Sequence, residues 1–327
     1  MDADRLQRIW YGGAAVPWWL SALTPVYRAL RGAHQLPYRL GWRRAQALGV
    51  PVIVVGNLTV GGSGKTPLVI ALASALRRRG WRPGVVSRGY GGRARVPMLL
   101  DAHPDPALVG DEPALIRRRA GVPVAIGRDR VAAARRLLAE GVDVVIADDG
   151  LQNPSLARDV EICVIDGDRR FGNGRLLPAG PLREPLARLA TLPLRVCNGG
   201  QPEAGETPMA LQGEQAVNLV DGASRPLADF AGTPVHAIAG IGHPERFFGA
   251  LRARGIEVLA HAFADHHAYR PEDLAFGDER PVLMTEKDAI KCEVFASGRC
   301  WRVPVDACLP PAFEAAVAAA VAEAARR

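Results

Sequence analysis

The stretch PVIVVGNLTVGGSGKTP, residues 51–67, constrains the fold more than any other part of the chain. Residues 51–57 are a continuous apolar run, the pattern of a strand buried on both faces. Residues 66–79 follow with helical periodicity. Between them lies a glycine-rich loop that ends in Gly64-Lys65-Thr66. Strand, glycine loop and helix in that order make a phosphate cradle: successive backbone N–H groups turn inward around phosphate oxygens, and the lysine adds a point charge. One position departs from the usual spacing, since Thr59 stands where G-x-x-x-x-G-K-[ST] begins with glycine. Gly56, Gly61 and Gly62 can supply the turning freedom instead, and Pro67 suits a first helical turn that needs no N–H from it.

The strand and helix pattern then repeats. Apolar runs at 83–87, 122–126, 143–148 and 161–166 alternate with helical segments near 110–120 and 129–140. This predicts an α/β fold of the P-loop NTPase type, a parallel sheet flanked by helices, with a second, smaller α/β domain beyond it. The domain boundaries read as an N-terminal helical arm over 1–46, a P-loop core over 47–200, a polar Gly-rich linker over 201–225 that has room for a short hairpin, and the smaller domain over 226–327. A helix over 311–327 closes the last of these. Residues 167–187 carry too much Gly, Pro and Arg for a core element and read as a lid loop. GIGHPERFF, near 240, lacks the third glycine of a dinucleotide fingerprint and reads as a strand-to-helix turn alone.

Charge is distributed unevenly. From Arg5 to Leu100 there is no acidic residue, while fourteen arginines and Lys65 fall in that span. Trp10, Tyr11, Trp18, Trp19, Tyr27, Tyr38 and Trp42 interleave with those arginines over the arm, which Pro17, Pro25 and Pro37 are expected to break into short helices. Three readings are open: a helix in the headgroup layer of an anionic membrane, a packed arm with its aromatics facing the core, or a nucleic-acid contact. No run reaches the roughly 18 apolar residues of a spanning helix, and no signal peptide is recognisable, so the chain is expected to stay in the cytoplasm. Five cysteines without a C-x-x-C pair point to reduced thiols rather than zinc or disulfides.

Several polar clusters carry the chemistry. DVVIADDG is an apolar strand ending in two acids, so Asp148 or Asp149 could hold Mg²⁺ beside the loop, with the Thr66 hydroxyl on the same ion. Both acids together would need a turn, because consecutive strand residues point to opposite faces. Asp111 and Glu112 open a helix, where capping alone would account for Asp111. Asp265, His266 and His267 follow a strand of the second unit, and Arg88 ends the second strand, at the sheet edge where open parallel sheets bind ligands. Of 41 basic residues only Lys65, Lys287 and Lys291 are lysine, which suggests positions where a planar guanidinium will not serve.

In order, GNLTVGGSGKTP, SRGYGG, GDEP, ADDGLQN, GNGRLLPAGPLREP, FADHHAY and MTEKDAIKC closely resemble the tetraacyldisaccharide 4'-kinase family, the lipid A 4'-kinases of Gram-negative bacteria, over about residues 10–310. The family carries Thr or Ser at the Thr59 position. The resemblance implies transfer of the γ-phosphate of ATP to the 4'-hydroxyl of a tetraacylated glucosamine disaccharide 1-phosphate, giving lipid IVA. It implies Mg²⁺, and a place at the cytoplasmic face of the inner membrane, peripheral through the arm. No nucleic acid or obligate protein partner is implied. It makes Asp111 the base, His266 its partner and Lys65 the phosphate-binding lysine. Thr59, Gly61, Gly62, Ser63 and Gly64, with Lys65 and Thr66, fall to the nucleotide; Thr66, Glu112, Asp148 and Asp149 fall to the metal. Arg88, Gln152, Arg183 and Lys287 stand toward the substrate or support the groups that do. Leu151 occupies a position where the family has Phe, which bears on local packing rather than chemistry. Two rivals need less of this pattern: an ATPase switch on a membrane has no use for Asp111 and His266, and a cytosolic small-molecule kinase has none for the arm.

Overall fold

The computed structural model describes residues 3–327, so the first two residues of the arm lie outside the described residues. Two helices form the arm, α1 (Ala3–Tyr11) and α2 (Trp18–Arg39). The apolar runs then become strands, each within a residue or two of its expected place: β1 (Val52–Gly56), β2 (Pro83–Ser87), β4 (Val124–Ile126), β5 (Val144–Asp148) and β6 (Val160–Asp166), while β3 (Met98–Leu99), a two-residue edge strand, has no counterpart in the sequence reading. Between them run α3 (Lys65–Arg78), α4 (Pro106–Val109), α5 (Asp111–Ala120) and α6 (Arg130–Ala139). Strands β7 (Leu194–Asn198) and β8 (Thr207–Gln212) extend the same sheet.

The second sheet draws on β9 (Gln215–Asn218), β10 (Ser224–Pro226), β11 (Pro234–Ala239), β12 (Glu257–Ala262), β13 (Val282–Thr285) and β14 (Cys300–Val303), with α7 (Pro244–Arg252) and α8 (Glu286–Cys292). The chain ends with β15 (Asp306–Cys308) and α9 (Pro311–Ala324). In the first sheet the order is β15-β8-β7-β6-β1-β5-β2-β4-β3, parallel from β8 to β4 and antiparallel at both edges. Its two faces are covered separately. Leu68, Leu72, Ile116 and Phe313 from α3, α5 and α9 pack on one face, and Ala133, Ala134 and Leu137 from α6 on the other.

Three features differ from the sequence reading. The expected linker holds β8, which joins the first sheet, and β9 and β10, which join the second. Its strands alternate between more and less exposed residues, so no continuous apolar run marks it. The closing helix belongs to the first sheet and not to the smaller domain: β15 pairs with β8, and Phe313, Val317 and Val321 enter the first core. The arm is not broken into short pieces, since α2 runs through Pro25 and Pro37. Each proline forfeits one helical bond, but the helix is held from outside. Leu20 is buried with Trp10 and Ala179, the Tyr27 hydroxyl donates to the Arg183 carbonyl at 2.9 Å, and Arg31 pairs with Glu184 at 2.6 Å.

A second face of α2 is apolar and uncovered. Trp19, Leu23, Val26 and Leu30 recur at the three- and four-residue spacing of one helix face and are all exposed, with Trp18 and Trp42 beside them. Among the described residues no helix is long and apolar enough to cross a membrane.

The loop expected as a lid is strapped down. Leu182 bridges Thr59, the Val60 N–H donates to the Pro181 carbonyl at 2.8 Å, and Ala179 lies buried under the arm. The GIGH turn also does more than connect β11 to α7. Arg169 donates to the Gly242 carbonyl at 2.6 Å, and a Cβ at Gly242 would stand 2.6 Å from the Gly62 nitrogen. The second domain thus rests directly on the phosphate loop.

Candidate active site

Strand register assembles the site. Val55 of β1 pairs with Asp148 of β5, so the last carboxylate of β5 arrives beside the residue that precedes Gly56 and the loop. On the other side of β5, Val86 pairs with Ala147, which brings the Ser87 hydroxyl to Asp148, where it donates at 3.2 Å. Beyond the loop, Gly64 takes a left-handed conformation (φ 91°) ahead of α3. The Asn198 amide crowds it and donates to the Ser63 carbonyl at 3.1 Å, so a side chain at Gly64 would meet both the φ and the space restriction.

Lys65 is almost fully buried. Its ammonium reaches Asn57 Oδ1 at 3.3 Å and Asp149 at 3.7 Å. Thr59 is turned into the loop, accepting from the Asn57 amide at 3.4 Å, and Thr66 is half-buried on the first turn of α3. Gln152 donates to the Asn57 carbonyl and to Glu184, both at 3.0 Å.

The two adjacent acids have different surroundings. The strand ends at Asp148, and Asp149 takes a left-handed turn (φ 49°), which supplies the change of direction that two useful acids need. Asp149 is held by Arg183 at 2.8 Å and by Lys65. Burial opposes its charge, but these two cations outweigh burial and keep it at about 2. Asp148 is fully buried, and burial, reinforced by Glu112 and Asp149, pushes it up to about 7. One of its oxygens, Oδ1, is buried without a hydrogen-bond partner. An orphaned carboxylate oxygen at the strand end beside the phosphate loop is what a hard, oxygen-seeking divalent cation would satisfy. The donor set therefore fits Mg²⁺, with Asp148 the firmest candidate.

A second group of charges crosses between the domains. Asp111 is the first residue of α5, and Gly110 (φ 94°) holds the cap position instead of it. Capping therefore does not explain its carboxylate, which accepts only from the adjacent Glu112 N–H within the helix. His266 Nδ1 lies 3.0 Å from each Asp111 oxygen, the placement of an N–H donating to a carboxylate. His266 itself sits at φ 62°, a conformation that non-glycine residues rarely adopt. Its ring meets the edge of Tyr90 at 5.1 Å between centroids. From α8, Lys287 reaches Asp265 at 3.0 Å, Glu112 at 3.3 Å and Asp111 at 3.8 Å, while Lys291 stands 3.8 Å from Asp111 and 3.1 Å from Asp288. These lysines are thus engaged with the carboxylates rather than scattered over the surface.

Burial raises the Asp111 pKa, but the bond to His266 and the charges of Lys287 and Lys291 outweigh it and hold the carboxyl below its usual range. The bond to Asp111 raises His266 above an ordinary imidazole, against burial and Lys287. A lowered acid stabilises the fold above its unfolded pKa and loses that contribution as pH falls through the folded value. A raised base stabilises it below its unfolded pKa and loses that contribution as pH rises through the folded value. The Asp111–His266 contact is therefore strongest between about pH 4 and pH 6.5. An NMR titration should place the His266 midpoint above a free imidazole's, and Asp111→Asn should lower it; an unmoved midpoint would mean the contact is not formed in solution.

Members of both groups border one cleft of about 1200 Å³ between the arm, the sheet edge and the second domain. Lys65, Glu112, Asp148, Asp149 and His266 face it, and so do Arg88 and Arg183. Sequence reasoning missed Asn57, Asn198 and Glu184, which hold the loop and Gln152. The two asparagines had a signal, since each closes a buried strand at the sheet's carboxyl edge. Glu184 had none. Arg130 was missed as well: it is buried, donates to the Gly127 carbonyl at 2.8 Å, and burial lowers it to about 10.

The sequence profile of the family described as LpxK, tetraacyldisaccharide-1-P 4'-kinase, matches residues 16–322. A tetraacyldisaccharide 4'-kinase of Stenotrophomonas maltophilia is 53% identical over 314 residues, covering 93% of each chain. One from Nitrosococcus oceani is 49% identical over 322 residues, covering 98% of this chain and 95% of the relative. A solved structure of LpxK from Aquifex aeolicus in complex with ATP is similar with a TM-score of 0.75 at 28% identity, covering 93% of this chain and 98% of the other.

Proposed function

This chain belongs to the tetraacyldisaccharide-1-P 4'-kinase family, and from that membership we propose how its residues divide the reaction. It is an ATP-dependent kinase of lipid A synthesis that phosphorylates the 4'-hydroxyl of a tetraacyldisaccharide 1-phosphate. Phosphoryl transfer is largely positioning and neutralisation of charge on the transferred group. The loop amides from Gly61 to Lys65 cradle the phosphates, and Lys65 follows the γ-phosphate charge while Asn57 and Asp149 hold its ammonium. Asp148 and Thr66, with Glu112, would hold Mg²⁺, which would supply neutralisation of charge on the phosphates. Arg183 is fixed by Asp149 and Gln152 toward the same phosphates, and Arg88 lies free on the cleft wall.

The 4'-hydroxyl gives its proton to the Asp111–His266 pair, with Asp111 as base. The observation that carries this reading is the buried carboxylate of one domain bonded to a histidine of the other at 3.0 Å. A second reading has its own support. His266 faces the cleft and Asp111 lies behind it, an arrangement that suits His266 Nε2 as the atom receiving the proton with Asp111 orienting the ring. Lys287 holds Glu112 and Asp265 in place around the pair.

The arm completes the reading. Its inner face is tied to Arg183 and Glu184, and its outer face presents Trp19, Leu23, Val26 and Leu30 amid arginines. This is the build of a helix that lies in the headgroup layer of an anionic bilayer, where the lipid acceptor resides, and it supports a peripheral position on the inner membrane. Deleting the arm would disturb Arg183, so point changes on the outer face are the sound test. With γ-labelled ATP, label should enter the lipid disaccharide in detergent micelles for the unchanged protein and for a Leu23→Gln, Leu30→Gln variant alike. The variant should bind anionic vesicles about tenfold more weakly or worse, and salt should weaken both proteins' binding. Equal vesicle binding would remove the membrane role; no label in the lipid would remove the kinase reading.

A further inference from the structure

We infer that Arg246 is a positioning residue for ATP: it clamps α7 of the second domain onto the ends of β6 and β7, and through that clamp it seats the GIGH turn on the phosphate loop in the shape that holds the nucleotide. The inference rests on the kinase reading above and adds a residue outside the large cleft, which Arg246, Asp166, Asp168 and Asn198 do not border.

Strand register prepares the clamp. Asp166 closes β6 and pairs with Asn198, which closes β7, so a buried carboxylate and a buried amide end side by side at the sheet's carboxyl edge. Asp166 Oδ1 is fixed there by the Asp168 and Arg169 N–H groups, which both donate to it at 3.1 Å. From the first turn of α7, Arg246 Nη2 donates to Asp166 Oδ1 and Asp168 Oδ2, both at 2.7 Å, and to the Asn198 carbonyl at 3.4 Å. Charge-assisted bonds of 2.7 Å are about twice as strong as neutral ones, so this is a firm hold between the domains.

Two routes lead from the clamp to the loop. Asn198, whose carbonyl receives Arg246, donates its side-chain amide to the Ser63 carbonyl at 3.1 Å and crowds Gly64. The chain entering α7 lies on the loop itself: a Cβ at Gly242 would stand 2.6 Å from the Gly62 nitrogen and 3.5 Å from Gly61 Cα, and Arg169 holds the Gly242 carbonyl at 2.6 Å. Loop amides bind phosphate only when they converge. A backbone built on Gly61, Gly62 and Gly64 has many other shapes open to it, so contacts from outside select the convergent one. The second domain has a separate hold on the first, where His266 and Lys287 meet Asp111 and Glu112. Loosening Arg246 therefore frees the loop while the Asp111–His266 contact stays formed.

The test measures Mg²⁺-ATP affinity by calorimetry, KM for the lipid acceptor in micelles, the His266 titration midpoint by NMR and the thermal midpoint. The proteins are the unchanged chain, Arg246→Gln, Arg246→Lys, Gly242→Ala, and Arg246→Gln with Gly242→Ala together. Arg246→Gln should bind ATP about tenfold more weakly, the scale of coupling carried through intervening contacts, and Arg246→Lys should recover part of that loss. Gly242→Ala should weaken ATP binding to a similar extent with every Arg246 bond intact, because the added methyl lifts the turn off Gly62; it reads the same route if Arg246→Gln does not fold. The paired variant should lose little beyond the larger single loss. Acceptor KM and the His266 midpoint should hold throughout. Unchanged ATP affinity in a folded Arg246→Gln or Gly242→Ala protein would overturn the inference. So would a fall in the His266 midpoint alongside the ATP loss, which would make Arg246 a tether of the whole domain. An unchanged protein that binds no Mg²⁺-ATP would remove the kinase reading and the inference with it, a result visible before any variant is compared.

Discussion

Asp111→Asn is expected to lower turnover about a hundredfold or more while ATP affinity stays near that of the unchanged protein, the range usual for loss of a general base. The substitution keeps the size and hydrogen-bonding reach of the side chain but cannot accept the hydroxyl proton. The carboxylate is 5% exposed and lies among His266, Lys287 and Lys291, with Glu112 beside it. Removing its charge also leaves two lysines without part of their counter-charge, so the variant's thermal stability should be measured alongside. A folded variant with intact ATP binding and near-normal turnover would take Asp111 out of the chemistry. A variant that fails to bind Mg²⁺-ATP would move it to the metal group with Glu112.

Lys65→Ala should cost about a hundredfold to a thousandfold in turnover, because the developing γ-phosphate charge loses its nearest fixed cation in a dry site. Lys65→Arg should fail as well. The ammonium occupies a space bounded by Asn57 Oδ1 at 3.3 Å and Asp149 at 3.7 Å, and a planar fork cannot take both partners from a point. Loss of Lys65 also frees Asp149, whose low pKa depends on Lys65 and Arg183, so its carboxyl should titrate higher in the alanine variant. Single-turnover kinetics on saturating ATP separate the transfer step from nucleotide binding. Near-normal transfer in the arginine variant would show that any cation serves at this position.

Much of this arrangement is legible in the chain. Strands β1, β2, β4, β5 and β6 could be read because strands buried on both faces are continuous apolar runs, and Lys65, Asp148 and Asp149 because a phosphate loop and an acidic strand end have local signatures. Features set by distant partners were harder to read. Helix α2 survives two prolines because Tyr27 and Arg31 are bound to a segment 150 or so residues away. Strand β8 exposes alternate residues, and α9 packs on a sheet whose strands β1 to β6 precede it by more than 100 residues. Asn57 and Asn198 are marked only by their places at strand ends, and Glu184, in the loop after Leu182, by no local pattern. The meeting of Asp111 with His266 across 155 residues was implied by family resemblance, and neither motif by itself specified it.

The central claim is that Asp111 and His266 act as one proton-accepting unit completed by the second domain. A double-mutant cycle on turnover, with ATP affinity measured for Asp111→Asn, His266→Ala and the pair together, tests it most directly. The account predicts that His266→Ala alone costs less than Asp111→Asn, that the double variant loses little beyond Asp111→Asn, and that ATP affinity is unchanged throughout, because groups acting as a unit are not additive. Fully multiplicative losses would contradict it, showing two residues that serve the reaction separately.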